Sequence, residues 1–175
     1  MKRFSHILLF FILAFTFVSL NLFAQNDSIP SPPCSTPEFR QFDFWLGDWE
    51  VYSHDKIVGT NKVELILGSC VIQENWEGKG GSLGKSFNTY NAKKRTWHQV
   101  WVDNLGSRID FNGYYENNQM LFSGEGVSQK NPEQTVYYKL TFFKNKNGTV
   151  RQLWEASYDK EKWNTIFDGL YLKRK

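Results

Sequence analysis

Five carboxylates, Glu74, Glu77, Asp103, Glu155 and Asp168, stand in or at the ends of short stretches where apolar and polar residues alternate. Two such groups facing each other about 5 to 10 Å apart are what glycosidases use, one as acid and the other as base or nucleophile. Glu74 with Asp103 is the pair that a hydrolase of sugars or esters would draw on. The spacing does not demand that role, because a chain with 18 acidic residues always supplies such pairs. Nucleophilic catalysis is no better supported: Gly80-Gly81-Ser82-Leu83-Gly84 has the letters of a Gly-x-Ser-x-Gly elbow, but an all-β meander does not present the strand-to-helix turn that such a serine needs. No residue is assigned a catalytic role, and a non-enzymatic function is favoured. His54 and His98 come without a cysteine pair or a His-x-Glu arrangement at ligand spacing, so neither metal nor cofactor is expected. The glycine-rich stretch Gly78–Lys85 lacks the Gly-Lys-Ser/Thr ending at the spacing a phosphate-binding loop requires, and no helix follows it. It reads as a hairpin loop, with Gly80–Gly84 placed to gate a cavity.

A binding chemistry is written more clearly than a catalytic one. A closed core shows Val, Leu and Ile on one strand face, whereas amides, hydroxyls and indoles mixed on one face suit a wet ligand cavity. Ser86, Asn88 and Tyr90 share a face of "KSFNTYN", and Trp97, Gln99, Trp101 and Asp103 share one of "WHQVWVD". In "VIQENWEG" the inward set is either Ile72, Glu74 and Trp76 or Val71, Gln73 and Asn75. In "VRQLWEAS" Gln152 and Trp154 take one face, and Arg151, Leu153 and Glu155 the other. The candidate ligand-binding residues are Trp76, Asn88, Tyr90, Gln99, Trp101, Arg151 and Trp154. Indole and phenol rings would give apolar contact to a small, partly hydrophobic molecule, and the amides and guanidinium would orient it. In the competing reading these are solvated outer faces whose aromatics form cross-strand pairs. A third reading, an interaction module of the cell envelope, would need a contiguous exposed apolar patch.

Such residues need strands to hold them. Segments rich in Val, Ile, Thr and aromatics cover 49–53, 59–67, 71–77, 85–90, 97–103, 108–115, 120–126, 136–143, 150–158 and 164–172. Between them lie Asn, Asp, Gly and Lys clusters such as "NAKKR", "NLGS", "ENNQ" and "KNKNG", which tolerate the left-handed backbone of hairpins. No helix is long enough for a parallel crossover, so the class is all-β and antiparallel. An up-and-down barrel of about ten strands would remove exposed edges, and a β-sandwich is the alternative. Ahead of the strands, Thr36-Pro37-Glu38 opens a short helix or 3₁₀ turn, with Thr36 as N-cap. Phe39, Phe42 and Leu46 share its apolar face and Gly47 ends it. Phe42, Trp45 and Leu46 are expected to plug one end of the barrel.

Residues 1–24 read as a secretory signal peptide, with basic Lys2 and Arg3, an apolar run over Ile7–Phe23 and small Ala24 before the cleavage point. An uncleaved anchor is the alternative. After cleavage no span-length apolar run remains, and the product is expected in the periplasm or secreted. Residues 25–37 are a flexible Pro-rich linker, and 38–175 form the barrel domain. With Lys2 and Arg3 removed, 19 basic residues face 18 acidic ones, a net charge of +1. That balance gives no electrostatic footprint for nucleic acid. Cys34 and Cys70 form an even pair in an exported chain, which favours a disulfide over two free thiols.

Gly47-Asp48-Trp49 matches the Gly-x-Trp pattern that opens the first strand of lipocalins and related calycins. The resemblance implies that Trp45, Gly47 and Trp49 are structural, with Trp49 under the plug against an arginine near the C-terminus, for which Arg174 is the candidate. "FDFWLGDWEV", "LGSCVIQENWEG", "GKSFNTYN", "WHQVWVDN", "RQLWEASYD" and "FDGLYLKR" together resemble exported bacterial proteins of unknown function, related to the domain-of-unknown-function 1579 group. The resemblance runs from about Cys34 to Arg174 and includes both cysteines, supporting their pairing. It implies a calycin-like barrel with an internal cavity and carries no established activity. Ten-stranded nitrobindins bind haem through a late histidine, and here no histidine follows His98.

Overall fold

Two-residue turns set the path of the chain. His54-Asp55 and Asn117-Asn118 both have positive φ at their two central positions (48° and 60°, 50° and 61°). That backbone matches the right-handed twist of the strands it joins, and Asn and Asp tolerate it best after glycine. In the computed structural model, which describes residues 31–128 and 131–174, these two turns and longer connections link ten antiparallel strands. They are β1 (Gly47–Ser53), β2 (Lys56–Ile66), β3 (Val71–Gly78), β4 (Leu83–Asn91) and β5 (Thr96–Asp103), followed by β6 (Arg108–Glu116), β7 (Gln119–Val127), β8 (Thr135–Lys144), β9 (Val150–Ser157) and β10 (Asn164–Lys173). Each strand pairs with its sequence neighbours, and β10 returns to β1 with Trp49 opposite Lys173 and Tyr52 opposite Leu170. The sheet is closed. No edge is left to pair with another chain, and the sandwich alternative falls. The leader expected over 1–24, and the expected linker as far as residue 30, lie outside the described residues.

One end of the barrel is filled. The plug consists of two 3₁₀ turns, Pro37–Arg40 and Asp43–Trp45, rather than one helix. Thr36 does not cap it through its side chain, which donates instead to the Glu38 carboxylate at 2.6 Å. Between the turns Phe42 drops into the barrel, stacks on Trp45 at 4.9 Å and meets Trp97, Phe122 and Phe142 edge-on or tilted. Trp49 is fully buried beneath, and its indole N–H donates to the Trp45 carbonyl at 2.9 Å. Gly47 precedes it with φ +145°, a conformation that side chains disfavour. The cation over the Trp49 ring is Lys173, 5.4 Å from its centroid, whereas Arg174 pairs with Asp48 at the surface. The reason is parity: Lys173 shares the inward face with Tyr171, and Arg174 takes the other.

The Cys34–Cys70 disulfide closes the same end, joining the segment before the plug to the start of β3 across 36 positions. Closing a loop of that length contributes about 4 kcal/mol on the chain-entropy account. Such a bond belongs to an oxidising, extracytoplasmic environment.

Candidate functional site

Inward positions are set by the period-two alternation of each strand. They place Asn61 and Val63 from β2, Ile72, Glu74 and Trp76 from β3, Ser86 and Asn88 from β4, and Trp97, Gln99 and Trp101 from β5 inside. The polar and aromatic faces therefore line the interior. Strands β6 to β8 answer with Ile109, Phe111, Met120, Phe122, Leu140 and Phe142, an apolar half-wall.

Away from the plug the barrel opens into a cavity of about 790 Å³. Its walls carry Trp76, Trp101, Trp154, Phe111 and Phe167, and its base carries Glu74, Gln99, Gln152 and Tyr171. The aromatics pair edge-on, Trp76 with Phe167 at 5.9 Å and Trp154 with Trp101 and Phe111 at 6.4 and 6.1 Å. What keeps the lumen wide is glycine in the wall. A methyl group at Gly59 would stand 2.6 Å from Trp76, one at Gly84 would overlap Trp101, and one at Gly169 would stand 2.5 Å from Phe167. Each ring lies flat where a side chain would otherwise prop it into the lumen.

The base is a connected polar belt. Asn61 Nδ2 and Ser86 Oγ donate to the two oxygens of Glu74 at 2.7 and 2.6 Å. Gln99 Nε2 donates to Asn88 Oδ1 at 2.7 Å, and Asn88 Nδ2 donates to the Ile72 carbonyl and to Ser86. Tyr171 rises from between Trp45 and Trp49 and gives its hydroxyl proton to Gln152. Burial pushes the Glu74 carboxyl up to about 7, against the two donors that favour its ionised form. Burial, and after it the charge of Glu74, raises the Tyr171 phenol well above its ordinary value. Two polar atoms of this region are buried without a partner, Asn61 Oδ1 and the indole Nε1 of Trp154.

Of the residues expected to bind ligand, Trp76, Gln99, Trp101 and Trp154 line this cavity together. Asn88 lies behind it, fully buried in the belt and holding Gln99. Tyr90 sits at the plugged end, where its ring meets Phe39 and Trp97. Its strand enters from the mouth at Leu83, so seven residues later it has reached the floor. Arg151 points outside the barrel, forked onto Asp168 at 2.8 and 2.7 Å and over the Phe143 ring. It alternates with inward Gln152, so it cannot share the lumen with Trp154. The Gly80–Gly84 segment is tied in place rather than free: Gly78 N–H donates to the Ser82 carbonyl, Trp76 Nε1 to Ser82 Oγ, and Asn104 Nδ2 to the Gly81 carbonyl.

The carboxylate pair is not assembled, since Glu74 lines the cavity and Asp103 does not. Against the opposing pull of burial, the backbone N–H groups of Ser107 and Leu105 hold the Asp103 carboxyl below its usual range. Its role is to cap the β5–β6 turn. Among the described residues no group of three or more His, Cys, Asp or Glu side chains could hold a metal ion. Sequence reasoning missed Asn61, Gln152, Tyr171, Phe111 and Phe167 as members of the site. Phe167, Gly169 and Tyr171 alternate in "FDGLYLK", and that period was the available signal. No protein-family model matches the chain, and no curated protein matches it either.

Proposed function

We propose that this is an exported binding protein, working in the periplasm or outside the cell, that holds one small, partly hydrophobic molecule in the mouth half of its barrel. The observation that carries the reading is the open cavity itself: aromatic walls over a polar base, in a barrel whose other half is packed solid. Its volume suits a drug-sized molecule, and a few convergent polar groups in an apolar pocket are the usual makeup of a ligand site. The unpartnered Nε1 of Trp154 supplies a spare donor, since a buried N–H left unpaired costs about 1 to 3 kcal/mol until something accepts from it.

The test is tryptophan fluorescence against a panel of small aromatic and aliphatic compounds. Three of the seven tryptophans line the cavity, so binding should shift emission in the parent protein. The response should be lost when Trp76, Trp101 and Trp154 are all replaced by Phe. A response that survives the triple replacement would place binding elsewhere.

A further inference from the structure

We infer that the ligand of this cavity is an organic cation, an amine carrying a hydrophobic arm, whose charged head pairs with Glu74 while its arm lies among Trp76, Trp101 and Trp154. The inference rests on the binding reading above and specifies the chemical class of what is bound.

Charge at the base decides it. Glu74 is 4 % exposed and lines the cavity. An ionised carboxylate accepts about four hydrogen bonds, and Asn61 and Ser86 supply two. Every element packed around it leaves the charge unopposed. β2 offers the Asn61 amide, β4 the Ser86 hydroxyl, and β10 the Tyr171 phenol, whose proton goes to Gln152. The other charged or titratable groups lining the cavity, His54 and Asp168, belong to its rim, and Asp168 is neutralised by Arg151 outside the barrel. A buried carboxylate without a counter-charge is costly, and a partner cation relieves that cost.

The walls agree with the base. Indole faces attract cations, and rings converging on a positive head are the known cage for ammonium groups. Here Trp101 and Trp154 stand 6.4 Å apart, with Trp76 and Phe167 as a second pair 5.9 Å apart, all bordering the cavity that Glu74 floors. An anionic ligand would meet Glu74 with no basic side chain at the base to offset it. A neutral one would leave the ionised carboxylate uncompensated.

The test compares four probes of similar size on the oxidised protein by calorimetry: phenethylamine, benzyltrimethylammonium, phenylpropanol and hydrocinnamate. Both cations should bind at least about tenfold tighter than the alcohol at about pH 8, and hydrocinnamate weakest. Glu74→Gln should erase the preference of the site for the two cations over the alcohol. For benzyltrimethylammonium, whose charge is fixed, affinity should rise about tenfold between about pH 6 and about pH 8 as Glu74 ionises. That series uses only the parent protein, so it decides even where the variant does not fold. Equal or reversed ranking, a preference that survives Glu74→Gln, or a flat pH series would overturn the cation assignment while leaving a binding cavity. Failure of all four probes to bind would sink the binding reading itself.

Discussion

Three tryptophans face inward at each end of the barrel, and the difference between them separates a packed core from an open cavity. At the floor Trp45, Trp49 and Trp97 are almost wholly buried, at 0 %, 0 % and 2 % exposure. Trp45 packs on Phe42, Phe142 and Tyr171, Trp49 on Tyr171 and Trp97 on Phe42, and two of their three indole N–H groups have acceptors, the Trp45 carbonyl and Gln41 Oε1. At the mouth Trp76, Trp101 and Trp154 are only partly buried, and Trp76 and Trp101 lie flat over Gly59 and Gly84. The same residue type fills space at one end and lines it at the other. What changes is the opposing partner: a plug of aromatic side chains at the floor, wall glycine and solvent at the mouth.

That contrast can be broken by mutation. Trp49→Ala should have the largest effect, a loss of about 3 to 5 kcal/mol in chemical denaturation, because a fully buried indole leaves a cavity that cannot collapse. Molecules that remain folded should keep their ligand affinity. Equal stability with lost binding would invert the roles of the two ends.

Glu74→Gln should raise stability by about 3 kcal/mol at about pH 8 and change little at about pH 4.5. The sign follows from the raised carboxyl: the unfolded chain ionises near 4.5 and the folded one near 7, so the parent loses stability as pH climbs between those values. Urea unfolding midpoints of both proteins across that window measure it. A parent protein whose stability rises through the window would show that Glu74 is ionised in the folded state throughout.

Gly84→Ala should cost about 1 to 3 kcal/mol, the usual range for overpacking. The added methyl must push Trp101 off the wall, so acrylamide should quench the mouth tryptophans differently and the cavity should bind less of any probe. Unchanged quenching and binding would mean the ring has another place to go. The smallest effect belongs to Arg151→Ala, below about 1 kcal/mol, since its pair with Asp168 is half exposed on the outer face. Ligand affinity should not respond, and a loss of binding would bring Arg151 back to the site.

How far the site could be read in advance depends on the residue. Trp76, Gln99, Trp101 and Trp154 were legible because each sits in a face that mixes aromatic with polar side chains, which a dry core does not do. Tyr90 belongs to such a face too, yet it ends at the floor, because a nine-residue strand runs the length of the barrel. Composition along a face says nothing of depth. Glu74 was visible as one of five strand carboxylates and on one of two alternative faces of its strand, with no sign of its burial. Its burial follows from Asn61, Ser86 and Tyr171, which lie 13, 12 and 97 positions away in the chain and converge only when the sheet closes.

By itself the sequence determined the ten strands, their order, the turns, the plug and the pairing of the two cysteines. These are local matters: period-two alternation, residues that accept positive φ, and an even cysteine count. Tertiary structure alone decided which face turned inward, that Lys173 rather than Arg174 covers Trp49, and that one carboxylate lies at the base of an aromatic cavity. Alternation makes the two faces of a strand different without saying which is inside when both carry polar and aromatic residues. Only closure of β10 onto β1, which fixes every register at once, settles that.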